Sequence, residues 1–309
     1  MMISLPNLSE EQAAELLPEG MILLGYRGSI AHNMYIPSTD PNSIDDRDLM
    51  GVFIAPVEHY IGFGRDDVKE RFIGEWDVVS YEVRKYIKLL TKCNPNVLSL
   101  LWLSDEHLIY EHPLGKRLRE NKQLFVTKAA YHSFVGYAQG QFKRMTHFNQ
   151  EARTRMLELE QILTARGIDS NDLKATQEQL DRWSDLGDVI ESYRALKRKY
   201  YSGGYMGAKR KELVSRVGYD SKNAAHLIRL LRMGVEFLQD GDLKVARSDS
   251  EELLTIKRGE WPLDDVRAEA ERLFDLAEKA YLASPLPAGP DMQAAEALCR
   301  ELIADYYGW

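Results

Sequence analysis

The chain has 309 residues, and its 48 acidic side chains outnumber its 40 lysines and arginines, which gives a formal net charge of −8. With 44% hydrophobic and 28% charged residues, it has the composition of a soluble globular protein, and its length predicts two domains. The acidic balance excludes a protein that coats nucleic acid through bulk charge, although it permits a local basic groove. Cys93 and Cys299 are too far apart in the sequence to indicate a disulfide framework or a zinc site.

The sequence gives no indication of a membrane protein. The apolar runs at 21–24 and 97–103 are too short to span a bilayer. The first residues, MMISLPNLSEEQ, lack the charged and apolar regions of a signal peptide. We therefore expect a cytoplasmic protein without a membrane partner.

The first third of the chain has the pattern of a mixed α/β structure with a small sheet. Ser9 and Gln12 form a capping box, which predicts a short helix over 10–17. The segment 61–71 is rich in glycine and charge, and we predict a loop there. Three segments have the length and the apolar or β-branched composition of strands: residues 21–27, 48–56 and 71–80.

From residue 81 onward the apolar residues recur at helical spacing. A helix over 81–90 would have one apolar face, formed by Val83, Tyr86, Ile87 and Leu90. A long charged helical hairpin is expected over about 149–199, with its turn at 167–170. Other predicted helices and the proline-rich linker are, in chain order, 128–145, 156–166, 172–183, 223–238, the linker 284–290 and a final helix over 294–307.

The residues that carry chemistry lie between two predicted strands, in RGSIAHNMYIPSTDPNSIDDRDLMGVF. Asp46 and Asp48 are two residues apart at the start of a strand, so both carboxylates point to the same face. Two convergent carboxylates repel each other unless a cation lies between them, and oxygen ligands suit Mg²⁺ or Mn²⁺. Gly28 leaves a backbone N–H accessible to a phosphate, and Ser29 adds a hydroxyl where a helix begins. Each fragment alone is more typical of a surface turn, but their combination predicts a phosphate-binding turn facing metal ligands.

A third carboxylate would complete a two-metal site. Asp77 is the first candidate, because it lies closer to the end of its predicted strand, where active-site groups collect. Period-two alternation puts Glu75 on the same face, so Glu75 remains the alternative. We interpret His32, just after the Gly-Ser turn, as a packed histidine and assign it no catalytic role.

Two basic segments of the helical half are candidates for ligand contact. Lys222, His226 and Arg229 fall on one face of a helix, where they would bind a nucleotide triphosphate or a substrate phosphate. By spacing alone, a solvated helix face is the more typical interpretation. Residues 194–214 contain seven lysines and arginines interspersed with tyrosines, a composition about as typical of an RNA contact as of an exposed helix end and loop. If RNA binds to this chain, we expect it to bind here. The candidate RNA contacts are Lys197, Arg198, Lys199, Tyr200, Lys209 and Arg210.

The Gly-Ser turn, spacer and D-x-D pair resemble the nucleotidyltransferase signature of the DNA polymerase β superfamily. More closely, the chain resembles a group of bacterial and phage nucleotidyltransferases, some of which are linked to RNA repair alongside RNA ligases. Besides the segment that begins at Arg27, this resemblance is carried by DVVSYEVRKYIKLLTKCNPNVLSLLW, GYDSKNAAHLIRLLRMGVEFLQDGDL and LLTIKRGEWPLDDV, with SPLPAGPD as a weaker match. One departure is Asn33, where related sequences often have glycine; asparagine tolerates a positive φ better than most residues.

The resemblance implies an α+β fold: a small mixed-sheet, polymerase-β-like nucleotidyltransferase domain over 1–121, followed by a mostly α-helical domain over 122–309. It implies transfer of a nucleoside monophosphate from an NTP, for example ATP, to an acceptor hydroxyl with two Mg²⁺ or Mn²⁺ ions. RNA, and a tRNA 3′ end in particular, is the expected acceptor. A protein or small-molecule acceptor, or a non-catalytic nucleic-acid-binding module, is the alternative. The matching residues are Gly28 and Ser29 for phosphate, and Asp46, Asp48 and Asp77 for metal. The match of the segment KNAAHLIRLLRM also favours ligand contact by Lys222, His226 and Arg229 over a solvated helix face.

Overall fold

A computed structural model describes residues 9–37, 39–40, 43, 46–62, 68–146, 150–170, 186–201 and 208–309. Within these residues one sheet has the strand order β3-β4-β2-β1-β5. Neighbouring strands are antiparallel except for β2 and β4, which are parallel. The strands are β1 Met21–Tyr26, β2 Arg47–Phe53, β3 Val68–Ile73, β4 Trp76–Glu82 and β5 Leu108–Glu111.

Helices surround this sheet and form most of the rest of the described chain, so the predicted α+β class is confirmed. They are α1 Glu10–Leu16, α2 Gly28–Ala31, α3 Val57–Ile61, α4 Val83–Leu90, α5 Pro95–Leu101, α6 Pro113–Glu120, α7 Ala129–Thr146, α8 Gln150–Ala165, α9 Gly187–Tyr201, α10 Ala208–Val217, α11 Ser221–Asp240, α12 Ser250–Arg258, α13 Leu263–Ala283 and α14 Met292–Tyr307.

Two local predictions are confirmed in detail. Ser9 and Gln12 form the reciprocal capping box at the start of α1, with N–H···O distances of 3.2 and 3.0 Å. The predicted apolar face of α4 is its buried face: Val83, Tyr86, Ile87 and Leu90. Both features depend on residues within seven positions of each other, which is why the sequence alone was sufficient.

The prediction of one strand over 71–80 is wrong, because the chain forms the β3–β4 hairpin there. Ile73 pairs with Trp76, so Gly74 and Glu75 are a two-residue turn, and Gly74 has a φ of +59°. Glycine adopts that left-handed backbone without steric cost, which allows the tight reversal. The predicted loop over 61–71 is also partly wrong, since its last residues belong to β3. Strand β5 and helix α6 are further elements that the sequence patterns did not predict.

Helix α11 lies at the centre of the helical half and packs against α7, α12 and α13. Its residue Gly234 permits the close approach of α7, because a Cβ at this position would lie 3.0 Å from Cβ of Phe134. One hydrophobic core includes Ile22 of β1 and Met50 of β2 together with Leu227 and Leu230 of α11. The sheet and the helices therefore share a continuous core.

The charged segment forms a pair of helices, α8 and α9, with a separate apolar cluster between them. Gly167, with a φ of +72°, lies in the turn that ends α8, where the hairpin turn was predicted. The predicted helix over 172–183 lies outside the described residues. The cluster consists of Met156, Leu159, Leu163, Ile168, Leu186, Ile190 and Tyr193.

Candidate active site

Two of the predicted carboxylates lie next to each other on the sheet. In the parallel pairing of β2 with β4, Asp48 is the register partner of Asp77, so their side chains share one face of adjacent strands. Glu75, the alternative third acid, lies in the β3–β4 turn. Its carboxylate is 64% exposed and accepts a hydrogen bond of 2.6 Å from Arg47. The structure therefore brings Asp77, and not Glu75, to Asp48.

The guanidinium of Arg27 connects these two carboxylates. Its Nη2 donates to Oδ1 of Asp48 at 3.2 Å and to Oδ2 of Asp77 at 3.0 Å. The backbone N–H of Arg27 also donates to the carbonyl of Asp48 at 3.0 Å, which fixes the end of β1 against β2. Sequence reasoning missed Arg27 as a site residue, although its place between a strand end and the Gly-Ser turn was a usable signal.

The Gly-Ser turn is packed tightly against Asp48. Gly28 has a φ of +62°, and a Cβ on this residue would lie 2.5 Å from Oδ2 of Asp48. Only glycine fits this position, because both the backbone conformation and the space exclude a side chain. Ser29 follows in the four-residue helix α2, whose end is closed by Asn33 with a φ of +56°. The expectation that asparagine keeps this turn at Asn33 is confirmed.

Asp46 lies just before β2 and is directed towards the helical half. Its side chain is 78% exposed, and its Oδ2 is 3.6 Å from Nζ of Lys222 on α11. The two predicted groups of residues, from the Gly-Ser segment and from α11, thus meet across one cleft.

This cleft has a volume of about 220 Å³. All three α11 residues that were predicted from helical spacing line it, namely Lys222, His226 and Arg229. Its wall also includes Lys257 of α12, a buried cation whose Nζ donates to the carbonyl of Met34 at 2.7 Å. The sequence gave no signal for Lys257, because it is 223 residues from its acceptor. The lining residues are Arg27, Gly28, Ser29, His32, Met34, Asp46, Asp48, Asn96, Ser99, Lys222, Ala225, His226, Arg229 and Lys257.

A buried hydrogen-bond chain joins the Gly-Ser segment to α11. Nδ1 of His32 is 2.8 Å from the carbonyl of Val245, which can only accept, so Nδ1 carries the proton. Nε2 therefore accepts from the guanidinium of Arg229. Burial, followed by the charge of Arg229, holds the pKa of His32 well below its usual range. His32 is a packed, neutral histidine, in agreement with the sequence interpretation.

The cleft combines acids that are exposed or only partly buried with the buried bases Arg229 and Lys257. Burial raises the pKa of Asp48, Arg27 opposes this rise, and the charges of Asp46 and Asp77 add to it. Burial and the neighbouring charge of Arg247 lower the pKa of Arg229 to about 9, so this residue remains a cation at neutral pH. Nε2 of His226 is buried and has no hydrogen-bond partner among the described residues. The α11 side of the cleft is thus positively charged and faces the aspartates.

Within the described ranges, no group of three or more His, Cys, Asp or Glu side chains is arranged to hold a metal ion. Asp46 is directed to Lys222, and Arg27 lies between Asp48 and Asp77. Asp48 and Asp77 nevertheless already hold one cation between them, the guanidinium of Arg27. Their carboxylate oxygens are also the ligands that Mg²⁺ and Mn²⁺ prefer. The chemistry of the donor set therefore fits a divalent cation.

The predicted RNA contacts are only partly described. Nζ of Lys197 donates to the carbonyl of Ser170 at 2.9 Å. Arg210 makes a two-point contact with Asp220, at 3.2 and 2.8 Å, while Lys209 beside it is exposed. The side chains of the other three candidates lie outside the described residues: Arg198, Lys199 and Tyr200.

The mixed sheet, the Gly-Ser turn against Asp48 and the neighbouring Asp77 define a polymerase-β-like nucleotidyltransferase fold. The chain belongs to the RNA repair pathway DNA polymerase beta family, whose model matches residues 21–271. This range contains every residue that lines the cleft. Membership points to nucleotidyltransferase chemistry in general. Comparisons with curated proteins and with solved structures gave no match. In the described part of the chain, no helix is both long and apolar enough to cross a membrane.

Proposed function

We propose that the protein transfers a nucleoside monophosphate from an NTP to an acceptor hydroxyl, and that the acceptor is an RNA 3′ end, that of a tRNA in particular. The observation that carries the reaction is the single cleft in which the Gly-Ser turn and Asp48 face the basic residues of α11. Phosphoryl transfer needs little covalent chemistry from the protein. It needs a substrate held in line and a charge that is neutralised as it develops.

The basic side of the cleft is suited to a triphosphate. Lys222 and Arg229 would attract phosphate oxygens, Lys222 as a point charge and Arg229 as a planar donor. Gly28 and Ser29 both line the cleft, and Ser29 contributes a hydroxyl. His226 lines this cleft, and its buried Nε2 has no partner in the described chain, so a phosphate oxygen would satisfy it when Nε2 carries the proton.

The acidic side is suited to Mg²⁺ or Mn²⁺, with Asp46, Asp48 and Asp77 as ligands of a two-ion site. When bound, such ions would activate the attacking hydroxyl and neutralise the departing pyrophosphate. Asp48 and Asp77 hold fixed positions because the strand register sets them side by side. Asp46, at the exposed start of β2, is free of that constraint and would complete the donor set by turning from Lys222.

An RNA acceptor is supported by the family, whose description places it in RNA repair, and by the exposed cation Lys209 in the basic and aromatic segment. A protein or small-molecule acceptor would use the same donor chemistry. From a different class, a non-catalytic RNA-binding module would have no use for adjacent carboxylates, which only add repulsion when no cation binds.

The test is incubation with each α-labelled NTP, Mg²⁺ or Mn²⁺, and total tRNA. We expect label on RNA with the wild type and none with Asp46→Ala/Asp48→Ala. Label on the protein or on a small molecule would identify a different acceptor and would leave the proposed transfer reaction unchanged. Strong, salt-dependent RNA binding without any metal-dependent turnover would favour the binding module and contradict the proposal.

A further inference from the structure

Among the described residues, Arg27 is the cation that contacts both Asp48 and Asp77, and the proposed function leaves it without a role. Ion pairs between arginine and a carboxylate are frequently bidentate, with two parallel hydrogen bonds to one carboxylate. Arg27 instead shares a single nitrogen, Nη2, between Asp48 and Asp77. Its Nε is buried and has no hydrogen-bond partner among the described residues. The donors of this side chain are therefore incompletely used in the present arrangement.

The contact balances the charge of a carboxylate pair. The parallel register of β2 with β4 places Asp48 beside Asp77. Two ionised carboxylates in these positions repel each other. A cation between them removes this repulsion. In the structure that cation is Arg27, and in the proposed reaction it would be a divalent metal.

Arg27 also lies at the junction of the acidic and phosphate-binding sides. It directly precedes Gly28 and lines the same cleft as Ser29 and Lys222. Arginine carries its charge at any working pH and binds phosphate oxygens in a planar fork. A guanidinium released from the aspartates would thus remain next to the place where the triphosphate is expected.

We infer that Arg27 is a positioning residue that neutralises Asp48 and Asp77 in the metal-free protein, and that metal entry displaces it onto the phosphates of the nucleotide. This inference rests on the proposed function, because it requires the aspartates to be metal ligands. Metal and nucleotide then support each other: the metal releases the guanidinium, and the phosphates give it a new partner. Without nucleotide, Arg27 competes with the metal.

The first experiment measures Mn²⁺ binding without nucleotide, by the electron paramagnetic resonance signal of free Mn²⁺. Arg27→Gln should bind Mn²⁺ about tenfold more tightly than the wild type, because the competing cation is gone. Arg27→Lys keeps a charge and should stay close to the wild type. The matched control is Arg47→Gln, which removes a guanidinium from the neighbouring strand that bonds Glu75 and does not line the cleft. Its affinity for Mn²⁺ should be unchanged.

The second experiment measures binding of a fluorescent ATP analogue at saturating Mn²⁺, the condition in which the inference places Arg27 on the phosphates. Arg27→Gln should bind it severalfold more weakly, since one phosphate-binding cation is lost. Circular dichroism and melting curves in EDTA verify that the variants are folded. Removing a purely structural ion pair would also free the aspartates for metal, but it would leave the affinity for the ATP analogue unchanged, so the second readout separates the two roles.

Two results would overturn the inference, and they differ in what they leave standing. If Asp48→Asn/Asp77→Asn abolishes Mn²⁺ binding but Arg27→Gln binds Mn²⁺ no more tightly, or the ATP analogue no more weakly, than the wild type, Arg27 is structural and the metal site remains. If Mn²⁺ binding by the wild type is not reduced in Asp48→Asn/Asp77→Asn, the metal site of the proposed function is wrong as well.

Discussion

Arg229 on α11 donates a hydrogen bond to Nε2 of His32, and this contact joins two residues that are 197 positions apart in the chain. His32 ends the short helix that begins with the Gly-Ser turn, while Arg229 lines the opposite wall of the cleft. The bond requires a neutral imidazole, because a doubly protonated ring would present a second N–H to the guanidinium. The geometry of the cleft is therefore linked to the protonation state of a buried histidine.

This link predicts a pH dependence of stability. The pKa of His32 in the folded protein is depressed by burial and by Arg229, with smaller effects of His226 and Arg247. As the pH falls below about 6.5, the unfolded chain takes up a proton that the folded chain refuses, so stability falls by about 1.4 kcal/mol per pH unit for this one group. Above that pH its contribution is fully present.

The measurement is urea unfolding of the wild type and of His32→Asn between pH 7.5 and 5.5. Asparagine can still donate to Val245 but cannot accept from Arg229, so we expect a loss of about 1–3 kcal/mol at pH 7.5. The slope against pH should decrease by about one proton. Equal slopes for the two proteins would show that His32 titrates normally in the folded state.

A second prediction distinguishes the two candidates for the third carboxylate. Asp77→Asn should reduce nucleotidyl transfer about 100-fold or more. The metal ion that Asp77 would hold stabilises the charge that develops in the transition state by several kcal/mol. Glu75→Gln removes an acid two residues away, in the exposed hairpin turn, and should retain activity close to the wild type. The assay is single-turnover transfer from labelled NTP. A larger loss in Glu75→Gln than in Asp77→Asn would reverse the assignment.

A third prediction concerns the turn that is packed against Asp48. Gly28→Ala introduces a Cβ 2.5 Å from the carboxylate and forces a left-handed backbone that costs about 1–2 kcal/mol. Both stability and transfer should fall. The control is Gly136→Ala in α7, where nothing lies within 4 Å of the added atom, and where alanine stabilises a helix by up to about 1 kcal/mol. Full activity in Gly28→Ala would mean that the turn does not contact the reacting groups.

A fourth prediction separates structure from RNA contact within the basic segment. Arg210→Ala breaks a contact with Asp220, a nearly buried carboxylate that caps α11, and should destabilise the protein by about 3 kcal/mol. Lys209→Ala should leave melting unchanged. It should weaken binding of a single-stranded RNA and reduce the slope of log K against log salt by about 0.7. An unchanged slope would remove Lys209 from the interface.

The parts of this site that could be predicted from the sequence are those that lie close together along it. Gly28 and Ser29 are adjacent, and Asp46 and Asp48 are two residues apart at the start of a strand. The shared face of Lys222, His226 and Arg229 likewise follows from the 3.6-residue period of one helix. The confirmed capping box and the buried face of α4 belong to the same category. Local spacing and backbone geometry were enough in each case.

Tertiary structure alone decided which elements face each other across the cleft. Asp77, and not Glu75, lies beside Asp48 because a two-residue turn at Gly74 removes Glu75 from the strand and because β4 pairs with β2 in this parallel register. The bridge from Arg27 to both aspartates depends on the same register. Lys257 reaches Met34 only because α12 packs on α11, and α11 on the core of the sheet. Such contacts are set by burial of apolar surface between segments distant in sequence, and no local period records that burial.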